Sequence, residues 1–375
     1  MLVHINQEPN LKTGATCGDP EFRFHGATHG RTTMRNDAKA EVQHYVPKLL
    51  LRLHVNTTDA KKGAEQVWCF DKLTDKLFSP NIKCVFAGSR FYEIELGGQT
   101  ISLEEPLTHL EAQVAPVLTR LIRSRKLREI TIAERALISR FCAVQFVRTE
   151  SLRQQIKSLD QGIADALAKR GLVQPGASNL KSLTDEEVKA LSLQMLVEAP
   201  ETYGPHFMNK HWYLIDATID DPFHLGDQPI AVDNDFNPEL GLASPGASVY
   251  LPLCPTLCLV MLDSTVFAGL LRDEKRFRKK SRKTEKRMYR HAWTERGAAA
   301  IREMQESRET VFGLVNAIRT GTSCEYDDRV VTRANALQIM YATRWIVSSR
   351  PNFDLPKRMI ANNEKFRRGP KYGVV

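Results

Sequence analysis

The feature that most constrains the fold is a helical segment near the middle of the chain. Thr131 and Glu134 have the spacing of a capping box, in which each side chain accepts a hydrogen bond from a backbone N–H at a helix start. Leu137, Phe141 and Val144 then follow at intervals of four and three residues. Because this spacing places them on one face, the segment predicts a helix that packs against the core.

Two polar side chains continue this apolar face at its carboxyl end. Four residues after Phe141 and Val144 stand Gln145 and Arg148. A buried guanidinium is costly unless it is paired and hydrogen-bonded, so another segment must supply acceptors to Arg148. Two interpretations follow: a structural pair between Arg148 and a carboxylate, or a polar functional site with Gln145 and Arg148 at its floor.

Positive charge is concentrated in two segments of the C-terminal third. The chain has 375 residues, 42% of them hydrophobic, and a formal net charge of +9. Residues 272–290 contain eleven bases and three acids, a net charge of +8, and the residues from Pro351 onward contain six bases and two acids. The rest of the chain is slightly acidic. This distribution predicts an anionic partner that contacts the two basic segments.

Cysteine usage and apolar runs bear on the compartment. The seven cysteines are scattered, and no pair has zinc-finger spacing or suggests a disulfide framework, which favours a reducing cytoplasm. The first residues lack the basic start and apolar core of a signal peptide. No apolar run reaches the roughly 18 residues that a membrane span needs. We therefore expect a cytoplasmic protein without a membrane span.

The order of predicted elements indicates the fold class and the domain organisation. Strands do not alternate strictly with helices, so we expect an α+β fold, a helix-rich single large domain with a mainly antiparallel sheet. The segment 249–261 reads as a strand interrupted by Pro252 and Pro255, which places it at an edge or a bend. The predicted divisions are a flexible polar arm (1–40), a core domain (41–350) with a basic insertion (272–291), and a basic tail (351–375). Further predicted strands cover 67–71, 90–96, 211–216 and 223–232, and helices cover 294–319 and 330–345.

Several short motifs follow one another along the chain. They are His44-Tyr-Val-Pro47, Trp68-Cys-Phe-Asp-Lys72, Phe91-Tyr92, Gln145-Phe-Val-Arg148-Thr149, Trp212-Tyr-Leu-Ile, Gly226-Asp-Gln-Pro229, Leu251-Pro-Leu253 and the helix with Asn335. In this order they resemble the domain-of-unknown-function 4238 family, a mostly bacterial group, and the likeness covers roughly residues 41 to 350. The family usually has Ser-Asp-Asn-Pro at one motif, where this chain has Gly226 and Gln228 in place of the serine and the asparagine.

The resemblance implies a polar site but no established reaction. Its pattern falls on His44, Gln145, Arg148 and Asp227. An imidazole, a carboxylate, a guanidinium and an amide could form an acid–base site with an anion clamp, as phosphodiester cleavage needs. Asp227 could equally be the structural partner of Arg148. Phosphate-loop, dinucleotide, nucleophile-elbow and zinc-protease motifs are absent from the sequence, so the sequence assigns no metal-binding residues and leaves any cofactor unknown.

The basic insertion is the strongest indication of an external partner. Phe277 and Tyr289 are interleaved with its bases, so phosphates could be met by charge and bases by stacking. A helix through this segment would carry bases around its whole surface, and a solvated charged face is the usual meaning of such a run. The predicted nucleic-acid-binding residues are Lys275, Arg276, Arg278, Lys279, Lys280, Arg282, Lys283, Lys286 and Arg287.

The sequence leaves three functional hypotheses. The first is a nucleic-acid-processing enzyme of phosphodiesterase or nuclease type, with His44, Gln145, Arg148 and Asp227 as its catalytic residues. The second is a non-catalytic nucleic-acid-binding or regulatory module in which the same residues are structural. The third is a sensor of small anions or nucleotides centred on Arg148.

Overall fold

A computed structural model of the chain describes residues 42–56, 65–172, 182–234, 236, 241–280, 295–325 and 327–369. The predicted N-terminal arm (1–40) and the middle of the basic insertion lie outside these residues. Within the described part, no helix has an apolar stretch long enough to cross a bilayer.

The helix start predicted from Thr131 and Glu134 is confirmed. Glu134 N–H donates to Thr131 Oγ1 at 3.2 Å, and Thr131 N–H donates to Glu134 Oε2 at 2.9 Å. Thr184 and Glu187 form the same reciprocal pair. The helices of the described residues are α1 (Lys48–Leu53), α2 (Glu104–Ser124), α3 (Ile132–Val147), α4 (Glu150–Lys169), α5 (Asp185–Met208), α6 (Ser264–Lys280), α7 (Glu295–Thr320), α8 (Asp328–Tyr341) and α9 (Asp354–Asn362).

The strands form two larger sheets and two hairpin-sized ones. They are β1 (Val42–His44), β2 (Trp68–Asp71), β3 (Lys76–Phe78), β4 (Ala87–Ser89), β5 (Glu93–Leu96), β6 (Gln99–Ser102), β7 (His211–Asp216), β8 (Leu225–Gly226), β9 (Ala231–Asp233), β10 (Ser248–Cys254), β11 (Leu257–Leu262), β12 (Ser323–Cys324) and β13 (Trp345–Ser348). The five-stranded sheet has the order β12-β7-β11-β10-β9, and the four-stranded sheet has the order β3-β2-β13-β8. Only the β12–β7 pair is parallel among the described strands. The predicted α+β class with mainly antiparallel sheets is therefore confirmed.

The core lies between the five-stranded sheet and the helices that cover it. Strands β10 and β11 are buried along their whole length, as expected for strands covered on both faces. Helix α3 packs along α5 and contributes Phe141 to this core, as its stripe predicts. A smaller cluster containing Phe70, Ile346 and Phe353 lies on one face of the four-stranded sheet. The carboxyl end of α3 thereby comes to lie beside the β1–α1 connection.

The predicted position of the proline-containing strand is wrong, because the segment forms two central strands rather than a bent or peripheral one. Pro255 lies in the turn between β10 and β11, where no ladder hydrogen bond is needed. Pairing of β10 with β9 ends at Tyr250, so Pro252 lies beyond that ladder, next to an irregular register with β11. Proline has no backbone N–H group, and both prolines therefore lie where the sheet needs no hydrogen bond from that group.

The predicted strand 223–232 is also divided differently. Leu225–Gly226 pairs with β13 in the four-stranded sheet, whereas Ala231–Asp233 pairs with β10 in the five-stranded sheet. A Cβ added at Gly226 would lie 3.0 Å from the carbonyl oxygen of Gln338 in α8. Glycine at this position therefore lets β8 approach α8 closely, and the polar segment after it crosses from one sheet to the other.

The segment assigned to a basic tail packs against the core domain. Phe353 and Ile360 are buried in the smaller cluster. Arg367 donates to Asp75 Oδ2 at 2.8 Å and to the carbonyl oxygen of Lys72 at 2.6 Å. Residues 351–369 therefore fold as part of the same unit, with Arg367 as the base that binds to it, while Lys357, Arg358, Lys365 and Arg368 are exposed.

Candidate functional site

Arg148 ends α3 and is buried, with 3% of its surface exposed. Its guanidinium donates three hydrogen bonds: to Tyr92 Oη at 3.1 Å, to Glu111 Oε1 at 2.7 Å and to the carbonyl oxygen of His44 at 2.9 Å. Burial alone lowers the pKa of Arg148, but the neighbouring Tyr92 and Glu111 outweigh it and raise the pKa above its usual value. The carboxylate that pairs with the buried guanidinium of Arg148 is therefore that of Glu111, on α2.

His44 and Gln145 each contact a buried part of the backbone. His44 is 7% exposed, and its Nε2 lies 3.1 Å from the carbonyl oxygen of Ile82. Burial lowers the pKa of His44, so the imidazole is neutral at pH 7. Gln145 is fully buried and donates from Nε2 to the carbonyl oxygen of Tyr45 at 3.1 Å. Gln145 and Arg148 thus hold residues 44–45 by their backbone carbonyl groups, and the His44 side chain joins this segment to Ile82.

Asp227 makes a separate set of contacts. It is 2% exposed, and Oδ1 accepts from the N–H of Thr343 at 2.7 Å. Oδ2 accepts from Thr343 Oγ1 and from the N–H groups of Arg344 and Trp345, each at 2.9 Å. Burial raises the pKa of Asp227, and the bonds from Trp345 and Arg344 oppose this rise. The carboxylate thus fixes the connection between α8 and β13.

The structure therefore brings three of the four predicted residues to one place and uses the fourth elsewhere. No hydrogen bond joins Asp227 to Arg148, both of which are described. The two groups of contacts meet only through neighbours in sequence, where Thr149 Oγ1 donates to Gln228 Oε1 at 2.5 Å. Among the fully buried polar atoms of these four side chains, Gln145 Oε1 is the one without a hydrogen-bond partner in the described residues. The guanidinium of Arg148 thus binds three acceptors of the protein, and the carboxylate of Asp227 accepts from four donors of the protein.

The missed residue Glu111 had a detectable signal. It stands four residues after Leu107 and three before Val114, both of which are buried, so it occupies the apolar face of α2. A carboxylate on the apolar face of a helix predicts a buried or half-buried partner of opposite charge, as a guanidinium in the same position does. The two anomalies, read together, would have predicted the Glu111–Arg148 pair.

Lys72 is a second buried charge that the motif search passed over. Its Nζ donates to the carbonyl oxygens of Ile339 and Ala342, at 2.6 and 2.5 Å, where α8 ends. Burial lowers the pKa of Lys72 to about 8, and the charge of Asp227 opposes this shift. A cation at a helix C-terminus is stabilised by the exposed carbonyl groups there. Lys72 and Asp227 therefore hold the two sides of the same α8–β13 connection.

Four exposed bases form a stripe on the described part of the basic insertion. Arg272, Lys275, Arg276 and Lys279 are exposed and recur at the spacing of one helical face of α6. Glu274 faces the other way and is buried between α6 and α7. The sequence-based picture of bases around the whole helix therefore does not hold for residues 272–279.

The reason lies in how α6 contacts α7. Arg319 reaches Glu274 with two bonds of 3.0 Å, and Arg278 reaches the same carboxylate at 2.9 Å. The guanidinium of Arg278 also lies 5.2 Å from the ring centroid of Phe312. Arg278 is thus paired within α6, although its side chain stays 65% exposed, and the other four bases share the outer face. Of the remaining predicted residues, Lys280 ends α6, and Arg282, Lys283, Lys286 and Arg287 lie outside the described residues.

Replacing Arg148 by methionine is expected to lower the free energy of unfolding by about 4 kcal/mol, because one partner of a buried ion pair would be left behind with two further acceptors unmet. Urea unfolding monitored by circular dichroism measures this change. The matched control is Arg140→Met on the exposed side of α3, for which we expect a change within about 0.5 kcal/mol. Equal stability of the two variants would show that the Arg148 contacts do not hold the core.

Comparison with known proteins gives one result. A family model described as "Protein of unknown function (DUF4238)" matches residues 42–352. No curated protein and no solved structure matches the chain. In the described residues, no three His, Cys, Asp or Glu side chains are grouped as a metal site would require.

Proposed function

The chain belongs to the DUF4238 family, and from that premise we propose that it is a nucleic-acid-binding protein whose contact surface is the outer face of α6. In this proposal His44, Gln145, Arg148 and Asp227 are structural. The observation that carries it is the stripe formed by Arg272, Lys275, Arg276 and Lys279.

The geometry of the stripe suits a phosphate backbone. The first and last bases are seven residues apart, which is about 10 Å along a helix and matches roughly three nucleotide steps of a duplex. Asp273 is the one exposed acid in this part of α6, since Glu274 is held by Arg278 and Arg319. The stripe therefore presents a net positive charge to an approaching polyanion, and the adjoining sequence continues with further bases.

The contacts of the four buried residues support a binding role over a catalytic one. A general base needs a free lone pair within reach of substrate, yet both oxygens of Asp227 accept bonds from residues 343–345. His44 Nε2 faces the carbonyl oxygen of Ile82 and donates to it, so the ring's lone pair is on Nδ1 of a side chain that is only 7% exposed. Arg148, the expected anion clamp and the centre of the sensor hypothesis, directs its guanidinium to Glu111, Tyr92 and His44.

The nuclease-like activity stays a prediction with its own test. Asp227→Asn should abolish turnover of DNA or RNA while leaving binding intact if the enzyme hypothesis holds. Under the proposal argued here, the wild-type protein turns over neither substrate. The cytoplasmic location is proposed as well, supported by the six described cysteines, all of which are free thiols.

The binding surface is tested by charge neutralisation. The variant Arg272→Gln, Lys275→Gln, Arg276→Gln, Lys279→Gln is expected to reduce the slope of log K against log salt concentration by about 3 to 4 units for duplex DNA, since about 0.9 counterion is released per phosphate contact. Fluorescence anisotropy with labelled duplexes and single strands across a salt series measures the slope.

A matched control changes the net charge by the same amount at other exposed positions. It combines Arg123→Gln, Arg140→Gln, Lys169→Gln and Arg170→Gln, all exposed and away from α6. We expect this control to keep nearly the full slope. Equal losses in the two variants would show that only net charge matters and that α6 is not the contact surface.

A further inference from the structure

A groove lies between α7 and the edge strand β12, on a different face of α7 from the one that packs against α6. Its volume is about 510 Å³. Its floor is apolar and includes Ile215 and Leu314. The rim, here called the acidic groove, carries Glu306, Glu309, Glu325, Asp327 and Arg329.

The rim has an excess of negative charge. Arg329 donates to Glu306 Oε2 at 3.0 Å and to Asp327 Oδ2 at 3.1 Å, so one cation serves two acids. Glu309 and Glu325 are exposed and make no ion pair with any described residue. With four acids and one base, the rim carries a net charge of −3. A cation entering the groove would therefore meet two unpaired carboxylates.

The groove is also open down to the helix backbone at one point. Gly313 lies in the interior of α7, and a Cβ added there would meet no atom within 4 Å. Glycine in a helix interior lowers helix stability, and at Gly313 no packing contact requires it. The open space lets a long side chain lie along α7 with its methylene groups over the apolar floor. Lysine and arginine have this amphipathic form.

We propose that the acidic groove of one molecule binds the outer face of α6 of a second copy of this chain. Charge complementarity is the argument: the stripe presents the four exposed bases Arg272, Lys275, Arg276 and Lys279. The groove has an excess of three negative charges, because its one cation, Arg329, is already paired with Glu306 and Asp327. The stripe and the groove occupy different faces of the same packed α6–α7 pair, so the contact joins different molecules head to tail.

This contact has a regulatory consequence that rests on the proposed function. Self-association covers the same four bases that contact nucleic acid, so the two partners compete. Exposed ion pairs are individually weak and are screened by salt. The self-association is therefore weak and reversible, and a polyanion displaces it.

Sedimentation equilibrium over a range of protein concentrations tests the contact. The wild-type protein is expected to gain average mass with concentration at about 50 mM salt and to be monomeric at about 500 mM, where screening is strong. The groove variant (Glu309→Lys, Glu325→Lys) and the stripe variant (Lys275→Glu, Arg276→Glu) are each expected to stay monomeric at low salt. All four positions are exposed, so both variants should fold.

An equimolar mixture of the two variants supplies the decisive result. The basic stripe of the groove variant then meets the acidic groove of the stripe variant, and the reversed pair of surfaces is complementary as well. We expect association to return in the mixture. A monomeric wild-type protein at low salt, or a mixture that stays monomeric, would overturn the proposal.

Failure of the proposed function is distinguishable from failure of this inference. Nucleic-acid affinity is measured on the same variants, and the groove variant should bind at least as tightly as wild type. Self-association without nucleic-acid binding would overturn the proposed function and leave the contact standing. Nucleic-acid binding with no self-association would do the reverse.

Discussion

Replacing Asp227 by alanine is expected to lower the free energy of unfolding by about 6 kcal/mol, because four donors that bind this buried carboxylate would lose their acceptor at about 1.5 kcal/mol each. Three of these donors are the consecutive backbone N–H groups of residues 343–345, and the fourth is Thr343 Oγ1. Backbone groups cannot turn away to find water. The loss is comparable to the whole stability of many domains, so the variant should be largely unfolded.

A second variant of Asp227 tests whether the carboxylate is needed or only a side chain of its size, and an exposed aspartate provides the control. Asp227→Asn keeps the size but turns one acceptor into a donor facing N–H groups, so we expect a loss of about 3 kcal/mol or more. Asp220→Ala removes a carboxylate that is 95% exposed and should change stability by less than about 0.5 kcal/mol. Urea unfolding measures all three. An Asp227→Ala variant as stable as Asp220→Ala would return Asp227 to the list of catalytic candidates.

The sequence pattern predicted those features of this region that depend on residues close together in the chain. The α3 helix start follows from the Thr131–Glu134 capping box, and the burial of Gln145 and Arg148 follows from the stripe that leads to them. The same reasoning was available for Glu111, because α2 is equally periodic. The acceptors of Arg148 were only partly predictable, since one is a backbone carbonyl and carries no sequence signature.

The role of Asp227 shows the limit more clearly. Its partners are backbone N–H groups more than 110 residues away in sequence, and any residues at positions 344 and 345 other than proline would supply them. A carboxylate in an apolar context therefore predicts that donors exist, but it cannot identify them. The position of Pro252 depends in the same way on where β9 stops pairing, which is a property of the assembled sheet.

These contacts explain how motifs far apart in sequence can be structural together. His44, Gln145 and Arg148 fix the β1–α1 connection, while Asp227 and Lys72 fix the α8–β13 connection. Each buried polar side chain mainly satisfies backbone groups that leave regular structure. Polar residues in such positions specify one arrangement of the chain and are costly to replace. These side chains of the family motifs thus stabilise connections between secondary-structure elements.

Acidification from about pH 7 to about pH 4.5 is expected to remove about 5 kcal/mol of stability through two buried histidines. Burial lowers the pKa of His54 to about 4, although the hydrogen bond to the Leu50 carbonyl acts to raise it. Burial also lowers the pKa of His224 to about 4. The unfolded chain, with a histidine pKa near 6.5, therefore binds more protons than the folded chain throughout this interval. Stability must fall as pH falls through it, and each histidine contributes about half of the loss.

The structure shows why protonation is unfavourable. His54 Nδ1 lies 2.9 Å from the carbonyl oxygen of Leu50 and donates to it, so Nε2 carries a lone pair. Neither His54 Nε2 nor His224 Nδ1 has a partner among the described residues. An added proton would place a charged N–H in the interior with no acceptor. His44, whose pKa is also lowered by burial, acts in the same direction, whereas Asp227, whose pKa burial raises, acts against it.

The difference between variants isolates the histidine contribution from these other groups. His54→Asn keeps a donor near the Leu50 carbonyl but does not titrate, so its stability loss between about pH 7 and about pH 4.5 should be smaller by about 2.5 kcal/mol than that of wild type. His206→Asn, at an exposed position of α5, should leave the pH profile unchanged. Urea unfolding at a series of pH values gives both profiles. If His54→Asn and wild type lost the same stability on acidification, His54 would not be a buried neutral imidazole in the folded protein.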